Sequence, residues 1–443
     1  MSTFTNLYLT RRFFLILGIV IFILSVGFVW KPLFYMGQTL LGTFAVMTLV
    51  DFLMLHAIRL NFTARRITPN LLSLSDQNNI KIVLETNAPM ELYAELIDEL
   101  PEQLQIRDFR FPLTIEAGEK KTIEYAIRPV KRGVYKFGKV RLFLASILGL
   151  VQRRINFPIA QDVAAYPSII QMKQYELMAL AKISTSDGIK RTRRLGHSYE
   201  FEQIKNYVQG DDFRSINWKA TGRRGDIMVN QYEDERAQQI YCIIDKSRAM
   251  RMPFEEMSLL DYAINASLVI SNIALLKYDR AGLITFSDKI GTYIKAERKK
   301  NQLRLILEAL YRQKERPLEA NYELLYQASR NMVRNRSLIL LFTNFESTYA
   351  LERALPVLRR ISRFHLLVVV FFENTELIDY MDAPAQNIEE IYSKTIARKQ
   401  HTEKQQMVQE LKRYGIQSIL TKPKELSINT VNKYLELKSR GFI

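Results

Sequence analysis

The sequence of 443 residues predicts a membrane-anchored protein of several domains: a two-helix transmembrane hairpin, a β-sandwich, and an α/β doubly wound parallel sheet. Three observations predict this order. Two apolar runs lie near the N-terminus, short alternating segments follow, and strands then alternate with amphipathic helices. The expected boundaries are 1–60 for the hairpin, 71–166 for the sandwich, 167–238 for a basic linker with a compact motif, and 239–443 for the α/β domain.

The hairpin is predicted from two apolar runs, about 13–30 and 33–50, each close to the roughly 20 residues that a helix needs to cross a bilayer. A cleaved signal peptide is the alternative for the first run, but a second run follows at once. Arginines flank the outer ends and the turn carries only Lys31, so the positive-inside rule places both termini and the soluble domains in the cytoplasm. Asp51 and His56 fall at the interfacial end of the second run, where we expect water to hydrate them.

The charge balance favours an anionic partner. Lys and Arg number 63 against 46 Asp and Glu, a formal net charge of +17 at pH 7. Part of this excess lies in the basic linker, where Lys190, Arg191, Arg193 and Arg194 form either a solvated face or a contact for lipid headgroups or an acidic protein. Nucleic acid is the weakest candidate, because no aromatic stacking platform is interleaved and the chain is membrane-anchored.

Residues 71–166 are predicted to form the β-sandwich because short segments alternate at a period of two, as in Lys121–Ile127. Turn signals such as Ala117-Gly118 and Arg132-Gly133 separate these segments. We find no cluster of potential catalytic residues here, so a spacer or docking role is expected.

Residues 239–443 alternate strands and helices, which is typical of a doubly wound parallel sheet. The expected strands are Gln239–Ile244, Ala281–Phe286, Ser337–Phe342, Phe364–Phe371 and Ile416–Leu420. The expected helices are Glu255–Leu276, Lys300–Tyr311, Tyr322–Asn331, Tyr349–Ile361, Asn387–Tyr414 and Ser427–Lys438. Cys242, the single cysteine, is expected to be a buried hydrophobe in the first strand. That strand stops at Asp245, and a carboxylate at the C-terminal end of a buried strand lies where an open α/β sheet places its ligand.

A compact motif precedes this strand, consisting of Tyr207, Gly210, Asp211, Arg214, Ile216, Trp218 and Arg223. The motif resembles that of the bacterial family called domain of unknown function 58, followed directly by a degenerate von Willebrand factor A-like domain. We expect Asp211 and Arg214 to pair around a tight turn covered by Trp218, bracing the domain junction. A recognition surface for a partner is the alternative.

The resemblance also implies a metal position. Von Willebrand factor A domains hold Mg²⁺ through Asp-x-Ser-x-Ser, a Thr and a further Asp. Asp245 and Ser247 match this pattern, whereas Ala249, Asn321 and Asn344 depart from it. Because Mg²⁺ demands hard oxygen ligands in near-octahedral array, a tight site is not expected. Asp245 is expected instead to cap a helix or to hydrogen-bond Ser247.

The resemblance implies a function in protein interaction at the bacterial inner membrane. Relatives that resemble this chain are encoded beside AAA+ ATPases of the MoxR class, so we expect an adaptor without enzymatic activity that acts in envelope assembly or stress. The expected partner surface comprises Arg248, Arg251, Asn321 and Asn344, a polar and basic face suited to an acidic protein.

Two other functions stay open. One is a metal-dependent hydrolase using Asp211, Asp212 and Asp245, although the sequence offers no phosphate loop, ligand cluster or nucleophile elbow to support it. The other is binding of anionic membrane lipid through the basic linker.

Overall fold

A computed structural model of the chain describes residues 6–57, 61–107, 109–186, 200–208, 213–233, 237–384 and 387–442. The chain divides into two compact units, Met1–Tyr166 and Pro167–Ile443, here called the β unit and the α/β unit.

The β unit combines two apolar helices with short strands. Its described elements are β1 Leu7–Leu9, α1 Arg11–Gly27, α2 Lys31–Ala57, β2 Phe62–Ile67, β3 Leu71–Ser73, β4 Asn78–Thr86, β5 Leu92–Asp98, β6 Arg110–Ile115, β7 Lys120–Ile127, β8 Gly133–Phe137, β9 Val140–Ala145, β10 Val151–Phe157 and β11 Gln161–Tyr166.

These strands form three sheets around one core. The sheet orders are β1-β10-β9-β5-β6, β2-β4-β7 and β3-β11-β8, with antiparallel pairing except between β3 and β11. Alternate residues of a strand face inward, as Ile80, Ile82 and Leu84 do on β4, and all three sheets contribute to the same apolar cluster. Apolar and polar residues alternate in the sequence of these strands because only every second side chain is buried.

The core of the β unit also contains a buried ion pair. Arg66 on β2 donates two hydrogen bonds to Asp98, one from Nε at 3.1 Å, and its Nη1 donates to the carbonyl of Ile159 at 2.9 Å. The Tyr125 hydroxyl donates to the same carboxylate. Both charges are almost fully removed from solvent and therefore depend on each other.

Asp51, near the end of α2, is fully buried, so the expectation that water hydrates it is wrong. The turn between β9 and β10 supplies its partners: the Ser146 hydroxyl and the backbone amides of Leu150 and Val151, at 2.7 and 2.9 Å. At the entry to α1, the Thr10 hydroxyl donates to the carbonyl of Gly149 at 2.7 Å. Both outer ends of the helix pair are thus attached to one turn of the sheet.

The helix pair differs in length from the two expected spans. The first helix, α1, stops at Gly27 after 17 residues, whereas α2 continues to Ala57 over 27 residues. Two described helices are long and apolar enough to cross a membrane, Lys31–His56 and Leu259–Leu276. Leu259–Leu276 is 83% buried, as a core helix would be, whereas Lys31–His56 is 17% buried. The exposed apolar surface of α2 is consistent with membrane association, while orientation stays a prediction.

The α/β unit begins with one helix and a strand pair. Its described elements are α3 Ile169–Ser186, β12 Glu200–Asn206, α4 Trp218–Arg224, β13 Met228–Glu233, β14 Gln239–Asp245, β15 Pro253–Phe254, β16 Met257–Ser258, α5 Leu259–Leu276, β17 Arg280–Phe286, β18 Ile290–Glu297, α6 Gln302–Tyr311, α7 Tyr322–Met332, β19 Leu338–Phe342, α8 Thr348–Ser362, β20 Leu366–Phe372, α9 Thr375–Asp382, α10 Ile388–Arg413, β21 Gln417–Thr421 and α11 Leu426–Ser439.

Six strands of the α/β unit form one mixed sheet in the order β18-β17-β14-β19-β20-β21. All neighbours are parallel except β17 and β18. Helices cover both faces: α5 packs on β14 and β17, and the opposite cluster joins β14 and β19 to α7, α8 and α10. The Cys242 side chain is buried towards α5, as expected.

The expected strands and helices of this unit are present within a few residues, and further elements were not expected. These are the antiparallel edge strand β18, the helices α4 and α9, and the strand pairs β12–β13 and β15–β16. The pair β12–β13 forms a small sheet of its own within residues expected to be a linker.

Candidate partner-binding site at the carboxyl edge of the sheet

The loops after β14 and β19 meet at the carboxyl edge of the mixed sheet, because these neighbouring strands are parallel. Asp245 ends β14 and is fully buried. Its two carboxylate oxygens accept hydrogen bonds from the backbone amide of Ser247 and from the Thr343 hydroxyl, each at 2.8 Å. Asp245 therefore bonds Ser247, one of the two roles expected for it.

Burial raises the pKa of the Asp245 carboxyl, because the charged form loses hydration, and the hydrogen bonds from Ser247 and Thr343 oppose that shift. The Tyr322 hydroxyl lies 2.9 Å from the Thr343 Oγ1 and extends the network. This arrangement holds the carboxyl in place without a counter-ion.

The two asparagines at the expected metal position are engaged within the protein. Asn321 caps α7 by accepting from the Leu324 amide at 3.2 Å. Asn344 donates to the carbonyl of Ala249 at 3.3 Å and accepts from Lys404 Nζ at 2.9 Å. An ammonium group beside Asn344 disfavours a cation, so this donor set does not fit Mg²⁺. Among the described residues, no group of three or more His, Cys, Asp or Glu is placed to hold a metal.

The expected partner surface is not the basic face that the sequence suggested. Arg248 lies 3.1 Å from Glu319, and Arg251 lies 3.7 Å from Glu315. Asn344 is buried and offers little surface, whereas Asn321 is exposed. The loop before α7 brings in the glutamates, so the two charges are balanced locally.

Beside these arginine–glutamate pairs, here called the rim, lies a cleft of about 180 Å³ that the sequence did not indicate. Its apolar lining includes Met252, Phe254, Leu377 and Met407. Its polar lining includes Glu346, Glu373, His401, Glu403 and Lys404. The segment Met252–Phe254, the loops after β19 and β20, and the helices α9 and α10 supply these side chains.

Lys404 is the unusual group of the cleft. Its ammonium donates to Asn344 Oδ1 and to the carbonyl of Phe345 and lies 5.9 Å from the centre of the Phe371 ring. Burial lowers its pKa to about 8, and the charge of Glu346 opposes that shift. His401 lies 3.5 Å from Glu373 at the same cleft. A partly buried ammonium with a lowered pKa, in a cleft, makes this region a candidate functional site.

The motif residues lie apart from this edge, around β12 and β13. Tyr207 follows β12, its amide donating to the carbonyl of Ile227 at 2.8 Å, and Ile216 bridges to Val229. Arg223 is exposed near the end of α4.

Trp218 was expected to cover the turn of the motif, but it is 73% exposed at the start of α4. The pairing expected between Asp211 and Arg214 stays a prediction. Arg214 lies 5.7 Å from the ring of Phe213. Gly210, Asp211 and Asp212 fall outside the described residues, as do Lys190 to Arg194 of the basic linker.

The fold and the edge define an α/β protein with a mixed sheet, a buried hydrogen-bonded carboxyl and an apolar cleft at the carboxyl ends of its strands. Residues 203–404 match the family model described as "Protein of unknown function DUF58". A curated relative, "Uncharacterized protein YeaD" of Bacillus subtilis (strain 168), is 24% identical over 205 residues, which are 44% of this chain and 50% of the relative. These matches support a relationship between this chain and the DUF58 family. The chain spans half the length of that relative.

Similar solved structures include the CARDB domain of the PF1109 protein from Pyrococcus furiosus, with 10% identity and a TM-score of 0.18 over 24% of this chain and 93% of that chain. Proximal thread matrix protein 1 from the mussel byssus gives 10% identity and a TM-score of 0.26 over 43% of this chain and 45% of that chain. Likenesses this low carry no argument about fold or function.

Proposed function

We propose that this protein is a membrane-anchored scaffold whose α/β unit binds a protein partner at the carboxyl edge of its sheet. The cleft is the observation that carries the proposal. An apolar depression of about 180 Å³ lies beside exposed arginine–glutamate pairs. An apolar centre with a polar rim is the usual anatomy of a protein-binding surface.

A von Willebrand factor A-like fold is part of the proposal. The strand order around β14, together with Asp245-x-Ser247 at its end and Thr343 beside it, supports that relationship. Because the residues at the metal position do not fit Mg²⁺, the proposed docking uses the cleft and its rim instead of a metal bridge.

The proposed partner is an AAA+ ATPase of the MoxR class, acting in envelope assembly or stress. This identity rests on the resemblance of the motif. The rim carries both signs of charge, since Arg248 and Arg251 face Glu319 and Glu315. Recognition through such a rim requires complementary charges on the partner, and we expect its salt dependence to be modest.

Anchoring through α1 and α2 is supported by the attachments at Thr10 and Asp51, which bring the outer ends of both helices to the same turn of the β unit. A hairpin so attached that crosses a bilayer keeps its two outer ends on one side. The arginines flanking those ends favour the cytoplasmic side of the bacterial inner membrane.

A scaffold without catalysis is also supported by Asp245, whose two carboxyl oxygens are already used within the protein. A hydrolase would need that carboxylate facing substrate or metal.

The test compares two substitutions of the same kind on one unit. Met252 lines the cleft and is 43% exposed, and Leu305 on α6 is 50% exposed and outside the cleft lining. We expect Met252→Glu to weaken binding of the purified MoxR-class ATPase by about tenfold or more, because a charge enters the apolar centre of the interface. Leu305→Glu should leave the affinity unchanged.

Titration of the ATPase onto the full chain in detergent or nanodiscs measures both affinities. Equal binding by the two variants and the original protein would show that the cleft is not the docking site. Failure of the original protein to bind would reject the ATPase as partner.

A further inference from the structure

Between β12 and β13 the chain exposes large apolar side chains instead of burying them. Trp218 is 73% exposed, Phe213 69% and Ile227 49%. Isolated exposed apolar residues are common on protein surfaces, whereas clustered ones form the patches at which partners or membranes bind. Trp218 is one of the two tryptophans of the chain.

Backbone hydrogen bonds hold this segment against the strand pair. The Asn217 amide donates to the carbonyl of Met228 at 2.8 Å, and the Met228 amide donates to the Thr221 hydroxyl at 3.0 Å. Asn217 caps the start of α4, and Gly225 ends it with a φ of 80°. The exposed side chains therefore project from a defined backbone near one end of the strand pair.

The same segment is cationic. Lys219, Arg223 and Arg224 on α4 are exposed, and none of them forms an ion pair with a residue that the structure describes. Asp226 is the single carboxylate in the sequence from Phe213 to Met228. This composition contrasts with the carboxyl edge of the sheet, where each exposed arginine has a glutamate beside it.

We propose that these residues form a membrane-interface site that takes anionic lipid headgroups; we call Phe213, Trp218, Lys219, Arg223, Arg224 and Ile227 the interfacial patch. Tryptophan favours the boundary between headgroups and acyl chains, and lysine and arginine next to it attract anionic phospholipid. Lipid fits better than an acidic protein face because large apolar and cationic side chains lie together in one short segment, in which Asp226 is the single carboxylate.

The inference rests on the proposed anchoring by α1 and α2. A chain tethered to the bilayer keeps the patch at high effective concentration near the lipid, so weak contacts are sufficient for binding. The role of the patch is separate from partner docking at the cleft, and it would set how the α/β unit lies on the membrane surface.

The two tryptophans allow the anchoring and the patch to be tested separately. Trp30→Phe leaves Trp218 as the only tryptophan, and Trp218→Phe leaves Trp30, at the turn between α1 and α2. The full chain is reconstituted into vesicles of phosphatidylcholine alone or of equal parts phosphatidylcholine and phosphatidylglycerol. Lipids brominated on the acyl chain then quench a tryptophan that contacts the bilayer.

We expect Trp218 emission to shift to the blue and to be quenched in the vesicles that contain phosphatidylglycerol, and added salt should reverse both effects. Trp30 should be quenched in both kinds of vesicle. Reversing the three α4 cations should abolish the response of Trp218; the variant is Lys219→Glu, Arg223→Glu, Arg224→Glu. A matched triple on the exposed face of α10 should preserve it; the variant is Arg398→Glu, Lys399→Glu, Lys412→Glu.

Quenching of Trp30 without any quenching of Trp218 overturns the patch and leaves that surface to a protein partner. A Trp30 that is not quenched in either vesicle overturns the anchoring itself. A Trp218 response that persists in the α4 variant rejects the role of the three cations, and with it the headgroup site.

Discussion

Two sites of the molecule, the core of the β unit and the carboxyl edge of the α/β unit, bury charge in different ways. In the β unit, the Asp98 carboxylate is buried together with its counter-ion, the Arg66 guanidinium, and a tyrosine hydroxyl completes the set. At the carboxyl edge of the α/β unit, Asp245 is buried and Lys404 is partly buried, each with neutral hydrogen-bond partners, and no ion pair joins either of them to a described residue. Both arrangements provide hydrogen-bond partners for the buried groups, but only the first provides a counter-ion.

This difference affects the pKa of each buried group and its capacity to bind a further partner. A paired buried charge holds two strands together and has no remaining capacity for a ligand. A buried ionisable group with neutral partners loses hydration and has its pKa moved towards the neutral form. Such groups are found at functional sites but also at structural ones, as Asp51 shows by attaching α2 to the turn after β9. The carboxyl edge is therefore a candidate functional region of the described chain.

The largest expected effect comes from breaking the paired charge. Arg66→Met leaves the Asp98 carboxylate buried without its counter-ion, which should cost about 3–5 kcal/mol of stability in the β unit. Hydrogen exchange of β4 and β7 measures it, because exchange reports the two units separately.

The matched control for this variant is Lys81→Met, because Lys81 forms an exposed ion pair with Glu124, their side chains being 47% and 55% exposed. The loss of stability caused by Lys81→Met should stay below about 1 kcal/mol. Equal losses at both sites would show that the buried pair has no special role.

Lys404 should give a smaller effect that depends on pH. Its pKa is lowered in the folded state to about 8, so the unfolded chain holds the extra proton between about pH 8 and the ordinary value of 10.5, and stability rises with pH across that window. The gain is roughly 3 kcal/mol at most.

Lys404→Met should lack this rise when unfolding of the α/β unit is followed from pH 7 upwards. The other ionisable groups of the cleft are common to both proteins and cancel in the difference. A parallel pH dependence of the two proteins would contradict a desolvated lysine.

The contribution of Asp245 to stability should change with pH in the opposite direction. Its pKa is raised in the folded state, so its contribution to stability is fully present below the ordinary value of 3.8 and is lost as the pH rises through the folded pKa. Asp245→Asn keeps the size of the side chain and its acceptor for the Ser247 amide but removes the titration.

The Asn variant should gain stability relative to the original protein as the pH increases from acid to neutral, in the same unfolding measurement. A variant that becomes relatively less stable towards neutral pH would show that the charged form of Asp245 is the one the fold prefers.

The smallest expected effect is at Trp218. Because its side chain is 73% exposed, Trp218→Ala should change stability by about 0.5 kcal/mol or less. Thermal unfolding measures it. A loss of several kcal/mol would mean that Trp218 braces the fold after all.

The sequence predicted those parts of the fold that depend on periodicity. The strand expected at Gln239–Ile244 and the helix expected at Glu255–Leu276 are present as Gln239–Asp245 and Leu259–Leu276. Both are buried almost throughout, which requires the continuous apolar runs that the sequence shows. The edge strand Ile290–Glu297 was missed because only half of such a strand is buried and its pairing with β17 is irregular. Hydration of Asp51 was expected because its partners lie about a hundred residues away in the sequence.

The candidate site was predictable at Asp245 and Ser247 and not at the cleft. A local motif identifies a residue at the end of a strand, and the network around Asp245 forms there. The cleft depends on which side of the 26-residue helix α10 faces the sheet edge, and α10 is mostly polar. The glutamates that neutralise Arg248 and Arg251 come from a different loop, whose position only the folded chain defines.

The attachment of Asp51 to the turn after β9 also sets an order of events during synthesis. The Ser146 hydroxyl that bonds it lies 95 residues further along the chain. At 5–20 residues per second, a ribosome needs about 5 to 20 s to make that stretch. The helix pair is therefore synthesised in full well before the turn that fixes its end exists. Until then the Asp51 carboxylate must find its hydrogen bonds in water, which delays permanent docking of the helix end until the sheet has folded.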